Sequence, residues 1–462
     1  MFQRKPGSGA CSKNQFHFLF ALSAMVLMVS GGLASAQTSK PGRLDRHRVF
    51  VKLKEGQSLP DSELIRSSKP LFGQVLLVET TDAAALSREL SSNQAVEYVE
   101  RNTFHGKSEL PKAEAGGLVF ESMGGDQYFN DPQVSRIWSF ADDAGYGISV
   151  NRAYSAIQAQ AREDVIVAVV DTGVDYNHED LRDVMWRNPR EIPGNRIDDD
   201  RNGYVDDVYG INTLVRDTQG NATGNPMASH AHGTHVSGTI AAAQNNHIGI
   251  AGIASRAKIM AIRTVPDDAD ETDANVVESY LYAARNGARL INCSFGKSFN
   301  EGGRVVKEAI DHVATKYGAL VVAAAGNDSS MFQKWDIDVK PKYPASYDSD
   351  GLLVVAATSQ SGGLASFSNV GKKSVDVAAP GVSIFSTMPR NQYGGMSGTS
   401  MATPTTVGML AEVLSRYPSL TPFELKKVAI ASVTPVASFK DHMVSGGRVS
   451  LYQALKMAAT LR

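Results

Sequence analysis

From Val165 onward the chain alternates short apolar, β-branched runs with stretches of helical period, and few architectures accept that alternation. Residues 165–170, 259–263, 289–294, 320–325 and 352–357 read as strands, with helices over 275–286 and 304–317. The pattern predicts an α/β fold in which a parallel sheet is flanked by helices. Open sheets of this kind place ligands at the carboxyl ends of their strands. Asp171 and Asn327 follow two of the runs and fall on that edge. No internal repeat or low-complexity tract interrupts the pattern.

A chain of 462 residues with 42% hydrophobic and 20% charged side chains can build a large core and more than one domain. Its formal net charge of -2 carries no excess that would favour nucleic acid or a membrane surface as partner. Arg4, Lys5 and Lys13 flank an apolar stretch over 16–29, and Ala34-Ser35-Ala36 offers small residues for cleavage before Gln37. Residues 1–36 therefore read as a secretory signal peptide, so the mature protein is exported, into a periplasm or out of the cell. A membrane anchor is the alternative, but a spanning helix needs ~20 apolar residues. Cys11 leaves with the signal, so Cys293 has no disulfide partner; within the run 290–293 it reads as a small buried strand residue rather than a reactive thiol.

Residues 37–105 carry patterns of their own. Strands are predicted over 48–54, 74–79 and 95–100, with a helix over 82–90 capped by Asp82, which together make a small α+β module. Residues 106–130, with Gly116-Gly117 and Gly124-Gly125, read as a linker.

Three distant segments carry chemistry. Asp171-Thr172-Gly173 ends the run 165–170, His232-Gly233-Thr234-His235-Val236-Ser237-Gly238 opens one helix-like stretch, and Gly398-Thr399-Ser400-Met401-Ala402-Thr403-Pro404 opens another. A serine hydroxyl is a weak nucleophile until a base takes its proton, and that base needs a carboxylate on its second nitrogen. Ser400 is the expected nucleophile, His232 the general base and then acid, and Asp171 the orienting carboxylate. Ser400 precedes the apolar-rich 407–414 and so falls at a helix N-terminus, where backbone N–H groups favour negative charge. Singly, Asp-Thr-Gly reads as a turn and a serine before a helix as an N-cap. Together, in the order Asp, His, Ser, they read as a serine hydrolase. His235 points to a neighbouring helical face and reads as a packed structural histidine.

With these motifs the chain resembles the subtilisin-like (subtilase) serine endopeptidases from about Asp131 to the C-terminus. The resemblance implies a catalytic domain over 131–462, closed by a turn and helix over 446–462, that hydrolyses protein or peptide substrates through an acyl-enzyme. It also implies that 37–105 is a propeptide, which assists folding and then inhibits from the substrate groove until the chain cuts itself within 106–130. A permanent accessory domain is the alternative. Asn327 matches the family's oxyanion Asn, so its side-chain amide and the Ser400 N–H are the expected hole. A Gly-Asn turn at a strand end is the plainer reading. Substrate is expected to lie as an added strand between Ser294-Phe295-Gly296 and Ala269-Asp270-Glu271. Asp267, Asp268 and Asp273 make the second wall strongly acidic, and a preference for Lys or Arg just upstream of the scissile bond is the expectation.

Structural calcium is expected at two places. Asp180 and Asn246 match side-chain ligands of a family site, with backbone carbonyls of Gln244, Ile248 and Ile250. Asp198, Asp200, Asn202, Gly203 and Asp206 follow an EF-hand-like order, but Tyr209 stands where the pattern wants its bidentate Glu, and an acidic turn is the alternative.

Thr405-Thr406-Val407-Gly408 replaces the family's usual His-Val-Ala-Gly, and Ala231 stands where Gly usually precedes the base. Neither change removes a catalytic group. A pseudoprotease is disfavoured because Asp171, His232, Asn327 and Ser400 all carry competent groups. An α/β-hydrolase esterase would need a Gly-x-Ser-x-Gly elbow and the order Ser, Asp, His, and neither is found at Ser400.

Overall fold

A computed structural model describes residues 43–104, 113–114, 128–157, 161, 163–300 and 303–461; the signal segment 1–36 and most of the linker lie outside them. The N-terminal module comprises β1 (Arg43–Leu53), β2 (Ile65–Phe72), β3 (Val75–Thr80), α1 (Ala83–Ser91) and β4 (Val96–Phe104). They form an antiparallel sheet in the order β2-β3-β1-β4. The period of two along β1 divides its side chains between two cores. Val49, Val51 and Leu53 pack with Leu86 and Leu90 of α1, whereas Phe50 joins a core of the larger domain. Asp82 caps α1 as expected, accepting from the Ala84 and Ala85 N–H groups at 2.9 and 3.0 Å. β2 escaped the sequence reading because it is a mostly exposed, polar edge strand containing Pro70, without an alternating signal.

A short β5 (Ala113–Glu114) leads to the larger domain, whose elements in chain order are α2 (Val150–Ala156), β6 (Val165–Asp171), β7 (Gly210–Arg216), β8 (Ala222–Thr223), α3 (Ala231–Ala241), β9 (Ala257–Arg263), α4 (Asp273–Arg285), β10 (Leu290–Cys293), α5 (Arg304–Tyr317) and β11 (Leu320–Ala324). Then come β12 (Leu352–Thr358), β13 (Val377–Pro380), β14 (Ile384–Met388), β15 (Gln392–Met396), α6 (Thr399–Arg416), α7 (Pro422–Ala431), β16 (Thr434–Pro435), β17 (Gly447–Arg448) and α8 (Leu451–Ala458). The main sheet runs β16-β17-β13-β12-β11-β10-β6-β9-β7-β8. Every pair from β17 across to β7 is parallel; only the edge strands β16 and β8 are antiparallel to their neighbours.

Two cores cover the sheet, one on each face. Val167 and Val169 of β6 face the core that holds α3 and α6, and Ala168 and Val170 face the one that holds α4 and α5. Both helices of the first face are enclosed: α6 is buried along its whole length and α3 from His232 onward. This is why β6 is apolar at every position from Val165 to Val170 rather than at every second one. The expected sheet with flanking helices and a preceding α+β module is therefore the observed architecture.

Candidate active site

The carboxyl end of β6 meets the N-terminus of α3. Asp171 is buried there, and His232 Nδ1 lies 2.8 Å from its Oδ1 and 3.0 Å from its Oδ2. A carboxylate facing Nδ1 calls for the tautomer with its proton on that nitrogen. The Thr172 N–H and hydroxyl also donate to Asp171 Oδ1, at 2.7 and 3.2 Å, and Thr172 Oγ1 accepts from the Gly233 N–H at 3.2 Å. The approach is close enough to require both glycines. A Cβ on Gly233 would lie 2.1 Å from the Gly173 carbonyl oxygen, and Gly173 itself takes φ +93°. His230 caps α3 by accepting the His232 N–H at 3.2 Å.

Ser400 is the second residue of α6. Pro404, four residues on, has no N–H to give the Ser400 carbonyl. The Ser294 hydroxyl donates there instead, at 2.9 Å, and Ser400 Oγ donates back to the Ser294 carbonyl at 3.1 Å. Asn292 Nδ2 holds Ser294 Oγ at 3.0 Å. His232 Nε2, meanwhile, is buried and has no hydrogen-bond partner among the described residues. The carboxylate and base are thus paired with each other, the base keeps a free acceptor nitrogen, and the serine hydroxyl rests on a neighbouring carbonyl.

Asn327 follows β11. Its Oδ1 accepts from the Thr399 N–H at 2.8 Å and the Thr399 hydroxyl at 2.9 Å, which assigns the opposite side of the amide as its NH2 donor. The loop around it is organised by a residue the sequence reading did not single out. Asn369 is fully buried, accepts from the Asp328 and Ser329 N–H groups at 2.8 and 3.1 Å, and donates to the Ala325 carbonyl at 3.0 Å. It lies 42 positions downstream in a Ser-Phe-Ser-Asn turn, and no local pattern links it to Asn327.

The expected groove walls are only partly exposed. Ser294 and Phe295 are buried and Gly296 is half-buried; Ala269 is half-buried, while Asp270 and Glu271 are buried. Burial, reinforced by Asp270, pushes the Glu271 carboxyl up to about 8, so it is largely neutral at pH 7. Asp273 pairs with buried Lys297 at 2.7 Å, and Asp267 accepts from the Ser229 hydroxyl at 2.7 Å and lies 3.7 Å from Arg263. Asp267 and Asp268 stay exposed, whereas Asp270, Glu271 and Asp273 are buried with the N-terminal module in place, so the full chain presents fewer free carboxylates here than the five the sequence offers.

Both calcium candidates have donor sets of the right chemistry, differently arranged from the sequence expectation. Asp180 is buried, with Oδ1 2.7 Å from Asn246 Nδ2 and Oδ2 accepting from the Ile250 N–H at 2.9 Å. Asn246 Oδ1 accepts from the Ile248 N–H at 2.8 Å, and the Gln244 side chain donates to the Gly252 carbonyl at 2.8 Å. Burial raises the Asp180 carboxyl to about 6, against hydrogen bonds from the Ile250 N–H and the Asn246 amide that lower it. In the acidic insertion, carboxylate oxygens of Glu191, Asp198 and Asp200 converge within 4.8 Å of one another. Glu191 is 7% exposed, and its Oε2 is a buried oxygen with no hydrogen-bond partner among the described residues. Three hard oxygens and one orphaned acceptor fit a calcium ion. Glu191 lies upstream of the EF-hand-like stretch, which is why that pattern missed it. Asp206 instead accepts from the Gly194 and Arg196 N–H groups at 2.8 and 2.9 Å, and Asn202 donates to Asp207 at 2.9 Å.

Two other singled-out residues lie inside the core. His235 bonds the Ile384 carbonyl at 2.8 Å, and burial lowers it to about 3, so it stays neutral. The Cys293 thiol is pushed up by burial and contacts the Tyr280 hydroxyl at 3.3 Å.

The subtilase family profile matches residues 162–447, which contain every catalytic candidate. The chain is 32% identical over 466 residues to subtilisin-like protease 1 of Plasmodium berghei (strain Anka), covering 97% of this chain and 72% of that protein. It is 29% identical to subtilisin-like protease 1 of Plasmodium falciparum (isolate 3D7) over 73% of this chain, but spans only 49% of that protein's length. Among solved structures it superposes on a protease from Pseudoalteromonas arctica PAMC 21717 with a TM-score of 0.57 and 25% identity, covering 72% of this chain and 100% of that one. Motif order, sheet topology and these matches agree: the chain belongs to the subtilase family of serine-type endopeptidases.

Proposed function

We propose that this chain is an exported, self-cleaving zymogen whose mature form hydrolyses peptide bonds through an acyl-enzyme on Ser400. The observation that carries the reading is the buried Asp171–His232 pair with an Nε2 unpartnered among the described residues, in a fold where α6, sharing a core with α3, has Ser400 at its N-terminus. On substrate binding the Ser400 hydroxyl leaves the Ser294 carbonyl for His232 Nε2 and attacks the scissile carbonyl as His232 takes its proton. Asp171 stabilises the imidazolium. The tetrahedral oxyanion takes hydrogen bonds from the Asn327 amide and the Ser400 N–H, a first-turn donor with no intrahelical acceptor. His232 then protonates the leaving amine, and water repeats the sequence to release the acyl group. A fluorophosphonate tests this directly: the matured chain is expected to gain one adduct mass on the peptide containing Ser400, and a folded, matured chain that takes up none would refute the assignment.

Contacts of the N-terminal module support its reading as an inhibitory propeptide. Glu100 Oε2 accepts from the Arg304 and Val305 N–H groups at the start of α5, at 2.9 and 3.3 Å, and Asn102 Oδ1 accepts from the Ala274 N–H at the start of α4, at 2.9 Å. These carboxylate and amide oxygens meet donors that a helix leaves unpaired. Further on, Ala113 and Glu114 pair with Met396 and Gly395 of β15, just ahead of Ser400. A cut between these two anchored segments is the expectation, and intact mass of the matured products would locate it.

Glu100 makes this inhibition pH-dependent. Burial, with Asp273 and Glu308 nearby, raises its carboxyl from 4.5 to about 7, and its Oε1 is a buried oxygen without a partner among the described residues. The docked carboxyl holds a proton that the released one gives up. Affinity of the cleaved propeptide is therefore expected to fall by up to about tenfold per pH unit as pH rises between the two values, and to level off above about 7. Inhibition measured from pH 5 to 8 should show this slope, and Glu100→Gln should flatten it.

Calcium in the two donor sets would supply charge compensation and tie loops together, with no part in the reaction. Chelation is expected to lower the melting temperature by roughly 3–6 °C, from a binding contribution on the order of 2–4 kcal/mol. An unchanged melting curve would remove both sites. Among the described residues no helix is long and apolar enough to cross a membrane. Export by the N-terminal signal, to a periplasm or the medium, and action on protein or peptide substrates complete the reading.

A further inference from the structure

Asp273 and Lys297 belong to opposite sides of the groove. Asp273 lies two residues beyond the Ala269-Asp270-Glu271 wall as the first residue of α4, and Lys297 directly follows Ser294-Phe295-Gly296. Their side chains are 2% and 3% exposed and meet at 2.7 Å. A buried ion pair is weakly stabilising at best unless its remaining donors and acceptors are used. Here one residue uses them all. Asp273 Oδ2 accepts both the N–H of Thr103, at 3.1 Å, and its hydroxyl. Lys297 Nζ donates to the Thr103 carbonyl at 2.9 Å and to Thr103 Oγ1 at 3.1 Å, so with Asp273 Oδ1 all three of its N–H groups are occupied. The Lys297 backbone is already paired with Tyr343, at 2.9 and 2.8 Å, so a docked peptide reaches Lys297 through its side chain alone.

We propose that Asp273 and Lys297 form a hydroxyl-selective subsite on the acyl side of the groove, filled by Thr103 in the zymogen and by a serine or threonine of the substrate in the mature enzyme. This rests on the protease reading given above. The side is set by chain direction, since Thr103 precedes the segment that is cut. The selectivity comes from the hydroxyl acting twice, as donor to the carboxylate and as acceptor from the ammonium. Valine has the same shape as threonine but would leave both charged groups short of a partner inside a closed pocket. Backbone contacts to the same peptide unit fix the register in which the side chain is read. Losing a hydroxyl that a site is built to bind costs far more than losing a methyl group.

The test is a cleavage profile. Matured enzyme would digest a denatured protein mixture, with mass spectrometry giving the residues on the acyl side of each cut. One upstream position, several residues from the scissile bond, is expected to favour Ser and Thr over Val and Ala by about tenfold. The enrichment should disappear in Lys297→Met and in Asp273→Asn. A profile of the native enzyme with equal use of Thr and Val at every upstream position overturns the subsite and leaves Thr103 as a propeptide anchor only, whatever the variants do. Absence of any cleavage by a folded, matured enzyme would instead overturn the protease reading itself.

Discussion

Ser400→Ala is expected to lower kcat by about 10⁶, a magnitude taken from a subtilisin, and to leave the chain at its uncut length. The expectation follows from how the groups are joined. His232 can hold a proton productively only if a hydroxyl delivers it, and Asp171 serves only to hold His232, so the three act as one device. His232→Ala should therefore cost about as much as Ser400→Ala, and the double variant little more than either. The remaining rate belongs to the oxyanion donors and to binding. Because Ser400 is 5% exposed and its hydroxyl makes a single donated bond, to the Ser294 carbonyl, the alanine variant should fold. Intact mass reports whether self-cleavage is lost, and kcat on a peptide substrate, after maturation by added protease, reports turnover. A Ser400→Ala chain that still matures itself and turns over within tenfold of the native enzyme would remove Ser400 from the mechanism.

Asn327→Leu is expected to lower kcat by ~10²–10³ with KM little changed, again on the scale measured in a subtilisin. Leucine keeps the shape and discards the donor. Because the Thr399 N–H and hydroxyl hold Oδ1, the amide NH2 is set before substrate arrives and needs no reorganisation when charge develops. The interaction is made with the oxyanion rather than with the ground-state carbonyl, which is why kcat should fall and KM should not. Asn327 is exposed, so thermal stability should stay close to that of the native chain. A parallel rise in KM, or a fall in stability large enough to explain the rate, would point to a structural role instead.

Much of this site was legible without coordinates because its chemistry is carried by short contiguous motifs. Asp171-Thr172-Gly173 and His232-Gly233 are recognisable strings because Thr172 and both glycines are needed for the same close approach. The order of strands and helices was legible for a similar reason: a strand buried on both faces is apolar along nearly its whole length, as β11 is throughout, β6 up to Val170 and β12 up to Ala357. Contributions from residues remote in sequence were not legible. Asn369 organises the oxyanion loop from 42 positions away, and Glu191 reaches the acidic insertion from outside the EF-hand-like stretch. The acidic loop misled in the opposite direction. Five acidic residues in a short stretch look like one exposed negative patch, yet Asp270, Glu271 and Asp273 are buried, and Lys297 and Ser229, which partner Asp273 and Asp267, come from elsewhere in the chain.

The sequence by itself determined the family with its reaction class and the sheet, and it marked Asp171, His232 and Ser400 as the candidates for the chemistry, since each depends on local residue order and on hydrophobic period. Only the tertiary structure decided which polar groups face each other. It turned Asp273 from an exposed acid into half of a buried ion pair, gave Glu100 a helix N-terminus to cap, and gave the Ser400 carbonyl the Ser294 hydroxyl in place of the N–H that Pro404 lacks. The physical reason is that a charge or a hydrogen-bonding group acquires its properties from neighbours within a few ångströms, and in a chain wound through a ten-stranded sheet most of those neighbours are distant in sequence.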